Sequence, residues 1–472
     1  MSFIGKSKGF GQRFTPPAIT PYLQVLAPHA GEYVRSNVSL SLIREDVKRF
    51  KPHGTEPVND PYMKIAIAKA TNAFRLPQPV KLLHLNDVFK RDLPIWSSSP
   101  GLPWNQQGYK TKGEIRDDPD AIKRVRWFWH RVKEGKSVYR TDCCAFVRAQ
   151  LAKVGEFKCR AVWGYPATMV FGEAVFALPL IDAYSKISSP IAYGYETGTG
   201  GMHKLYHEIK GAHYLGIDYK NFDKTVPEWI IRVAFDILFL NLDMLGYKDY
   251  GVTRVDCIMR MWNYVIDYFI NTPIRLCNGE RYQKRGAIAS GSYFTQLIGS
   301  IVNYILMTYV SLREDNRILH IKVLGDDSVT AFSRPIYPSD VAKYVEPLGF
   351  TINTTKSGSS KYLSDLSFLG HQINCGYPLK PRSKVIAGLL YPERPDSCWD
   401  DVASRALGIL YSNLGVDEHV DFWCRRVVKF RPFDLALTRN QEKLMRVLKI
   451  PIPDVTEPPD LLAFHRRLMG AS

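Results

Sequence analysis

The sequence predicts an α+β fold with a largely antiparallel sheet. Three observations support this prediction. Apolar residues recur at helical spacing in several segments, short β-rich runs end at turns that contain Gly and Asp, and the two patterns are segregated rather than strictly alternating. With 472 residues, of which 45% are hydrophobic and 23% charged, the chain can bury a sizeable core.

The first 245 residues contain four segments with clear periodicity. Residues 62–74 and 121–132 have the spacing of amphipathic helices. Residues 213–218 (HYLGID) form an apolar run that ends in an acid, which predicts a buried strand. Residues 228–245 have apolar positions at helical spacing, and we predict one amphipathic helix over the whole segment.

The second half begins with a small-residue loop at 286–291, which leads into a long apolar helix at 293–310. Two β-rich runs, 320–324 and 328–332, are separated by Gly-Asp-Asp and predict a hairpin. The other predicted elements are a helix at 342–348, a polar loop at 353–360, a short strand at 367–373, and helices at 399–413, 420–430 and 439–447.

No segment predicts a membrane span or a metal-binding cysteine motif. The apolar run 297–312 is shorter than the ~20 residues that a bilayer requires, so a buried core helix and no membrane partner are expected. Residues 1–11 lack the apolar stretch of a signal peptide. The eight cysteines include no C-x-x-C pair, which favours reduced thiols in an intracellular protein.

The chain is strongly basic, with 63 Lys and Arg residues against 46 Asp and Glu residues and a net charge of +17. An extended polyanion is therefore the expected partner, although a basic surface kept for solubility has the same composition. Residues 101–160 interleave cations with aromatic rings, as in a nucleic-acid channel. An amphipathic helix at 121–132 explains part of this pattern equally well.

Two adjacent acids, Asp326 and Asp327, occupy the turn of the predicted hairpin. Adjacent carboxylates repel each other unless a cation lies between them, and flanking apolar strands would hold them rigidly. Magnesium, a hard cation bound through carboxylates and substrate phosphates, suits such a turn. Taken alone, the pair is equally explained as a solvated turn, because Asp and Gly are common turn residues.

A third acid, Asp218, ends the predicted strand 213–218. If this strand and the hairpin are neighbours, Asp218, Asp326 and Asp327 would hold two Mg²⁺ or Mn²⁺ ions, which stabilise the attacking and leaving oxygens of an in-line displacement at a phosphate. In a nucleic-acid polymerase, such a displacement joins the 3′-hydroxyl of the growing strand to an α-phosphate and releases pyrophosphate. Asp223 lies too far along the chain for a direct ligand and is predicted to accept a hydrogen bond from a ribose hydroxyl.

The loop GAIASGSYFTQ lies between these acids in the sequence. Ser290 and Gly291 give it a flexible backbone that can approach other groups closely, and Thr295 adds a hydroxyl group. Such short polar groups could read sugar hydroxyls and the template base. A Gly/Ser loop that caps the following helix has the same composition, and the two interpretations are compatible.

The order D-x4-D, SG-x3-T and GDD resembles the palm of viral RNA-dependent RNA polymerases. Matching motifs run from about residue 99 to 395. The amino-acid sequence around them is most similar to that of partitiviruses, small double-stranded RNA viruses of plants and fungi. The resemblance implies a right-hand fold with fingers, palm and thumb. It divides the chain into an N-terminal region bridging fingers and thumb (1–98), fingers (99–210), a first part of the palm (211–228), an insertion (229–285), a second part of the palm (286–375) and a thumb (376–472).

The resemblance also implies roles for individual residues. Asp218 and Asp326 would be the principal metal ligands, with Asp327 a weaker or water-mediated one. Lys356 would protonate the pyrophosphate, and residues 368–372 (FLGHQ) resemble the primer-grip turn. The residues expected to contact nucleotide or template are Arg148, Lys153, Lys158 and Arg160 at the triphosphate, Asp223 and Thr295 at the sugar, Ser290 and Gly291 in the mobile loop, and Ser99, Pro100 and Gly101 at the template entry.

One position departs from the pattern, because Gly299 stands where many positive-strand viral polymerases have Asn. Asn303, one helical turn later, is the expected substitute as a sugar-sensing partner. A reverse transcriptase would share the metal acids, but such enzymes usually have a bulky aromatic residue at the position of Asp223. A non-catalytic RNA-binding or capsid-associated protein would share the charge but would have no reason to gather acids near phosphates.

The expected partners follow from the resemblance to the double-stranded RNA viruses. They are RNA template and product, ribonucleoside triphosphates, and a viral coat protein, with the enzyme in the interior of the particle. The expected locations are the virion interior and the host cytoplasm, where the enzyme would replicate and transcribe the viral genome.

Overall fold

The computed structural model describes residues 1–12, 14, 16–52, 56–430 and 457–470, and it confirms the predicted α+β class. The helix predicted at 439–447 lies outside the described residues. The helices are α1 (Leu40–Lys48), α2 (Pro61–Ala73), α3 (Leu85–Lys90), α4 (Lys112–Asp117), α5 (Pro119–Lys133), α6 (Ala167–Tyr184), α7 (Gly201–Glu208), α8 (Phe222–Thr225), α9 (Glu228–Phe239), α10 (Val255–Ile270), α11 (Phe294–Arg313), α12 (Pro338–Val345), α13 (Arg382–Leu390), α14 (Trp399–Asn413), α15 (Glu418–Lys429) and α16 (Leu461–Leu468).

Strands and short 3-10 helices connect these helices. The strands are β1 (Ser2–Lys6), β2 (Tyr33–Arg35), β3 (Val80–Leu82), β4 (Cys143–Ala149), β5 (Leu151–Lys153), β6 (Cys159–Gly164), β7 (His213–Ile217), β8 (Tyr219–Lys220), β9 (Leu242–Tyr247), β10 (Pro273–Arg275), β11 (Glu280–Gln283), β12 (Ile318–Leu324), β13 (Asp327–Phe332), β14 (Thr351–Ile352), β15 (Gly358–Ser360), β16 (Ser367–Phe368) and β17 (His371–Gln372). The 3-10 helices are Pro21–Ala30, Pro94–Ser97, Trp104–Gln107, Thr197–Thr199, Glu346–Leu348, Leu363–Asp365 and Asn374–Gly376.

Two sheets form the framework of the described residues. One has the order β12-β13-β7-β15 and is antiparallel throughout, as predicted from the sequence. The other has the order β1-β11-β10-β4-β6 and contains one parallel pair, β10 with β4. The predicted hairpin is confirmed, and its strand β13 pairs with β7. Asp218, at the end of β7, and Asp326 and Asp327, at the turn of the hairpin, therefore lie at the same edge of the sheet.

Helix α11 passes through the main hydrophobic core beside the antiparallel sheet and packs against α2, α9 and β12. Most of its side chains are buried, which confirms the predicted core helix. Among the described residues, α6 and α11 are long and apolar enough to cross a membrane by length and composition, but 78% of each apolar window is buried inside the protein. Burial of this extent is the pattern of core helices in a globular protein.

The beginning of the chain contacts three segments that are distant in the sequence. Strand β1 pairs with β11 in the five-stranded sheet, and β2 pairs with β5. The 3-10 helix Pro21–Ala30 packs against α13, with Leu23 and Leu26 in the same apolar cluster as Ile386 and Leu390. The division into fingers, palm and thumb stays a prediction at the level of residue boundaries.

The single strand predicted at 367–373 is a hairpin, in which β16 pairs with β17. Two other predicted elements have bounds that distant segments determine. The helix predicted at 228–245 ends at Phe239, because the buried Asn241 amide nitrogen donates to the carbonyls of Ile237 and Phe74, at 3.0 Å each, and the chain then pairs with β3 as strand β9. The polar loop predicted at 353–360 ends in β15, which adds to the edge of β7. In both segments a distant pairing partner overrides the local pattern.

A close contact between α5 and α6 yields a stability prediction. A Cβ atom at Gly172, inside α6, would lie 1.9 Å from Cζ2 of Trp129, whose indole donates to the carbonyl of Thr168 at 2.8 Å. We expect Gly172→Ala to lower the free energy of unfolding by about 1–3 kcal/mol through overpacking. Denaturant unfolding would measure this loss.

The control is Gly388→Ala, in the interior of α13, where the nearest atom to the new Cβ is 3.7 Å away. This substitution should leave stability unchanged or raise it by up to about 1 kcal/mol, because Ala favours the helix. Equal effects of the two substitutions would contradict the packing described for Gly172.

Candidate active site

The three predicted metal ligands lie together at one edge of the antiparallel sheet. Ser328 of β13 pairs with Ile217 of β7, so one further step of the same register places Asp327 opposite Asp218. Asp326 precedes Asp327 in the turn that joins β12 to β13. The Asp218 carboxylate accepts a hydrogen bond from the Asn353 amide at 2.8 Å, and its backbone N–H donates to the Ser357 hydroxyl at 2.9 Å.

The electrostatics of this cluster are those of crowded carboxylates. Burial, together with the negative charges of Asp326 and Asp218, raises the pKa of Asp327 to about 7, while the hydrogen bond from the Leu369 N–H opposes this shift. Asp326 is exposed as a residue, yet partial dehydration of its carboxyl group raises its pKa, and the Asp218 charge adds to this shift while Arg160 opposes it. A cation placed among these groups would relieve both the repulsion and the dehydration.

The donor set fits a hard divalent ion, since carboxylate oxygens are the ligands that such ions prefer. Within the described ranges, no three acidic, histidine or cysteine side chains already form a group that could hold a metal ion. The structure thus brings Asp218, Asp326 and Asp327 to one sheet edge without closing a cage around an ion.

Helix α11 supports the Gly-Asp-Asp turn by binding the backbone of Gly325. The N–H of Gly325 donates to the Ser300 hydroxyl at 2.9 Å, and its carbonyl accepts from the Asn303 amide at 3.2 Å. A Cβ at Gly299 would lie 3.1 Å from Cα of Gly325, which itself has φ +64°. Glycine at 299 and 325 therefore lets the helix and the turn approach more closely than larger residues would allow.

The position of Asn303 does not support its predicted role as a sugar sensor. The side chain is fully buried, its amide nitrogen donates to Gly325, and its carbonyl oxygen accepts from the Tyr219 hydroxyl at 3.3 Å. Both of its polar atoms are thus used inside the protein. Spacing along the helix placed Asn303 on the face that meets the Gly-Asp-Asp turn, and its side chain is used to hold that turn.

Asp327 has a second neighbour that the sequence did not indicate. Its carboxylate accepts a hydrogen bond at 2.6 Å from the backbone N–H of Leu369, in the turn predicted to grip the primer. His371 follows this turn and contacts the Ser412 hydroxyl of α14 at 3.2 Å. Burial, with the charge of Lys380, lowers the pKa of His371 to about 4, so the imidazole is neutral and links the turn to the C-terminal helices.

Asp223 lies in α8 beside the loop 286–291. Its backbone carbonyl accepts from the N–H of Ile288 at 2.6 Å. Burial raises the pKa of Asp223 and the Asp326 charge adds to this, whereas Lys224 and Arg160 oppose the shift. Arg160 therefore acts electrostatically on both Asp223 and Asp326.

The predicted loop residues are held by the backbone around them. The Ser290 hydroxyl accepts from the Trp163 N–H at 3.0 Å, and a Cβ at Gly291 would lie 2.3 Å from the Trp163 carbonyl oxygen. The Thr295 hydroxyl donates to the Ala289 carbonyl at 2.8 Å. The loop is therefore docked on β6, and the Thr295 proton is used to shape it.

The other predicted cations form ion pairs with glutamates that do not belong to the cluster of Asp218, Asp326 and Asp327. Three contacts account for them: Arg148 with Glu393 at 2.8 Å, Lys153 with Glu32 at 3.4 Å, and Lys158 with Glu156 at 2.8 Å. Arg148 is nevertheless directly opposite Arg160 across β4 and β6. Of the four, Arg160 is the cation that the structure places within electrostatic reach of the carboxylates.

Lys356 and the template-entry residues occupy different surroundings. Lys356 is exposed in the loop 353–357, which is bonded to Asp218 at both ends. Pro100 and Gly101 are buried at the junction of β6 and α6, where the Pro100 carbonyl accepts from the Ala167 N–H at 2.8 Å, while Ser99 is half-buried. The loop 99–101 thus packs beside β6, the strand that carries Arg160.

Comparison with known proteins agrees with this geometry. The family described as viral RNA-dependent RNA polymerase matches residues 13–420, and the chain belongs to that family. The resemblance inferred from the three motifs is confirmed. Members of this family use divalent metal ions and act on RNA and nucleoside triphosphates.

Among the relatives are RNA-directed RNA polymerases of double-stranded RNA viruses. The chain is 30% identical over 363 residues to that of Cryptosporidium parvum virus 1, covering 71% of this chain and 65% of the relative. It is 24% identical over 329 residues to that of White clover cryptic virus 1, covering 64% and 53%. The chain therefore matches between about half and two thirds of the length of these relatives.

Solved structures show the same fold. A Sicinivirus 3Dpol RNA-dependent RNA polymerase superposes with a TM-score of 0.68 at 13% identity, covering 100% of this chain and 99% of the other. An insertion-loop deletion mutant of a human picobirnavirus polymerase superposes with a TM-score of 0.60 at 16% identity, covering 87% and 79%. The predicted right-hand polymerase fold is thereby confirmed.

The contacts of Asn303 distinguish a supporting role from a sugar-sensing one. We expect Asn303→Ala to lower kcat by about 10- to 100-fold, because the Gly-Asp-Asp turn loses a buried hydrogen bond and small displacements at a reacting centre are costly. The ratio of ribonucleotide to deoxyribonucleotide incorporation should not change. Steady-state kinetics with both nucleotide types would measure the two quantities.

Asn316→Ala is the matched control, since Asn316 is also buried and donates to the Arg334 carbonyl, but beyond the far end of α11. It should lower stability without lowering kcat. A changed sugar preference in Asn303→Ala would restore the original prediction for that residue.

Proposed function

We propose that the chain is an RNA-dependent RNA polymerase that replicates and transcribes a viral double-stranded RNA genome by two-metal nucleotidyl transfer with release of pyrophosphate. The observation that carries this proposal is the register that gathers Asp218, Asp326 and Asp327 at one sheet edge, with Arg160 beside them. Membership of the viral polymerase family supports the reaction class.

The protein residues divide the work of binding and orientation. Asp218 and Asp326 would be the principal metal ligands and Asp327 the lesser one, as the resemblance to the viral polymerases implies. One oxygen of Asp327 accepts from the Leu369 N–H, and one oxygen of Asp218 accepts from the Asn353 amide. When bound, two divalent ions stabilise the charge on the attacking and leaving oxygens. Arg160 would neutralise the triphosphate, and Lys356, in the loop bonded to Asp218, would hold a proton for the leaving pyrophosphate.

Asp223 carries the proposed choice of sugar. It lies where Arg160, Asp326 and the loop 286–291 meet, so a carboxyl group there could bond to a ribose 2′-hydroxyl. The rival activity, reverse transcription, would require an enzyme that prefers deoxynucleotides. A direct comparison of the two nucleotide types with the wild-type protein separates these activities.

The partners and location belong to the same proposal. RNA and ribonucleoside triphosphates fit the net charge of +17 and the family. A viral coat protein, a position inside the virion and activity in the host cytoplasm rest on the resemblance to the double-stranded RNA viruses. Polymerase assays with and without purified coat protein would test whether the particle is needed.

Asp326→Ala should abolish Mg²⁺- or Mn²⁺-dependent incorporation, with a loss of more than about 100-fold. The substitution removes a proposed ligand of the ions that stabilise the charge of the transition state. RNA binding should remain nearly intact, since an acid contributes no favourable contact to phosphates. Primer extension and filter binding would measure the two properties.

Asp249→Ala, at an exposed acid outside the cluster, is the control and should behave as the wild type. Persistent synthesis by Asp326→Ala would rule out the assignment of Asp326 as a metal ligand.

Arg160→Ala should raise the KM for nucleoside triphosphates by about 10-fold or more, because a charge-assisted contact contributes roughly 1.5–3 kcal/mol. The affinity for RNA should change little. Initial rates over a range of nucleotide concentrations would measure KM.

Arg254→Ala removes an equally charged but highly exposed side chain, whose partner is Asp256 at 3.6 Å, and serves as the control. An unchanged KM in Arg160→Ala would remove Arg160 from the triphosphate site.

A further inference from the structure

One buried carboxyl group lies outside the metal cluster and has no place in the proposed chemistry. Glu173 is fully buried in the middle of α6, in an otherwise apolar stretch (ATMVFGEAVFALPLI). No ion pair joins it to a cation among the described residues. Burying an acid without a cation is costly unless hydrogen bonds satisfy the carboxyl group. The groups that form these hydrogen bonds with Glu173 therefore indicate what it holds in place.

Glu173 bonds to the start of α11, just after the loop 286–291. The Ser292 hydroxyl lies 2.9 Å from both carboxyl oxygens, and the N–H of Tyr293 donates to one of them at 3.0 Å. The same hydroxyl accepts from the N–H of Phe294 at 3.0 Å. Glu173 therefore fixes the point at which the loop becomes a helix.

The loop is held at its other end by a second buried charged residue. The ammonium group of Lys284 donates to the carbonyls of Ile270, Gly286 and Ala287, at 3.0–3.1 Å, and it also contacts the Phe269 carbonyl. Two fully buried ionisable side chains thus hold the two ends of one short loop. The position of its middle residues depends on both.

The middle of this loop contacts the proposed sugar site. Ile288 donates to the Asp223 carbonyl at 2.6 Å, Ser290 accepts from Trp163 at 3.0 Å, and Gly291 packs against the Trp163 carbonyl. A shift of Ser292 would displace Gly291 and Ser290 directly, because they precede it in the chain. The displacement would then alter the backbone against which Asp223 is held.

We propose that Glu173 is a positioning residue for sugar selection, which acts through Ser292 to set the Ser290–Gly291 loop against Asp223 and so favours ribose over deoxyribose. This inference rests on the proposed polymerase function. Glu173 itself does not contact nucleotide; it determines where the loop lies.

Two substitutions separate the hydrogen bonds of Glu173 from its volume. Burial raises the pKa of Glu173 to about 8, so the carboxyl group is mostly protonated at pH 7. In Glu173→Gln the amide oxygen can accept from Tyr293 and the amide nitrogen can donate to the Ser292 hydroxyl, which reproduces the neutral acid. Glu173→Met fills the same space but leaves the Ser292 hydroxyl and the Tyr293 N–H without their hydrogen-bond partner.

A buried site far from the loop supplies the control for lost stability. Asn241→Leu removes the buried hydrogen bonds of Asn241 with the Ile237 and Phe74 carbonyls and with the Leu76 N–H. It should lower the melting temperature as Glu173→Met does, without disturbing the loop. Any effect common to these two variants reflects stability alone.

The experiment measures kcat and KM for ribo- and deoxyribonucleoside triphosphates on a primed RNA, together with the melting temperature and hydrogen exchange of residues 286–293 without nucleotide. We expect Glu173→Met to exchange faster in this segment and to lower the ribo-to-deoxy ratio of kcat/KM by about tenfold, mainly through KM for ribonucleotides. Glu173→Gln and Asn241→Leu should match the wild type in the hydrogen exchange of residues 286–293 and in the ribo-to-deoxy ratio of kcat/KM.

Three results would overturn the proposal. The first is a Glu173→Met protein with a lower melting temperature but an unchanged sugar ratio, which would make Glu173 purely structural. The second is unchanged hydrogen exchange at 286–293, and the third is a loss in Glu173→Gln as large as in Glu173→Met. Failure of the proposed function is recognised separately, because the wild type would then show no synthesis that depends on Asp326.

Discussion

The structure depends on holding mutually repelling carboxyl groups at one edge of a sheet. The register of β7 with β13 brings Asp218 and Asp327 opposite each other, and burial makes the negative charge of Asp327 costly. The protein offsets this cost with directed hydrogen bonds: Asn353 donates to Asp218, and the backbone of Leu369 donates to Asp327. Neutral donors stabilise the acids without cancelling the charge that attracts a divalent ion.

The turn between these strands is held at the backbone of Gly325, which helix α11 contacts closely. Gly299 lets α11 approach Gly325, and the Ser300 and Asn303 side chains bond to both polar groups of that glycine. The helix that supports the turn is also the helix whose start Glu173 holds. Helix α11 therefore connects the sheet edge that carries the three acids with the loop beside the proposed sugar site. Both sites are supported by the same helix.

Local pattern was enough to predict the strand before Asp218, the Gly-Asp-Asp hairpin and the core helix, because each has strong periodicity and a distinct end. It was not enough for contacts between distant segments. The inward role of Asn303 depends on a turn 22 residues away, and the pairing of Arg148 with Glu393 joins residues 245 apart. Glu173 did leave a signal, a single acid in an apolar run, but its partner Ser292 could not be read from the sequence.

The pairing of the first strands with distant segments has a consequence for biosynthesis. Strand β1 must wait for β11, and Arg35, which donates to the Tyr391 carbonyl at 3.0 Å, must wait for a residue 356 positions later. At roughly 5–20 residues per second, the ribosome needs about 20–70 seconds to make that stretch. Strand β2 can pair with β5 much sooner, since only about 120 residues separate them. The docking of the segment Pro21–Ala30 and of Arg35 on the region around α13 is therefore a later event than the formation of the first strand pairs.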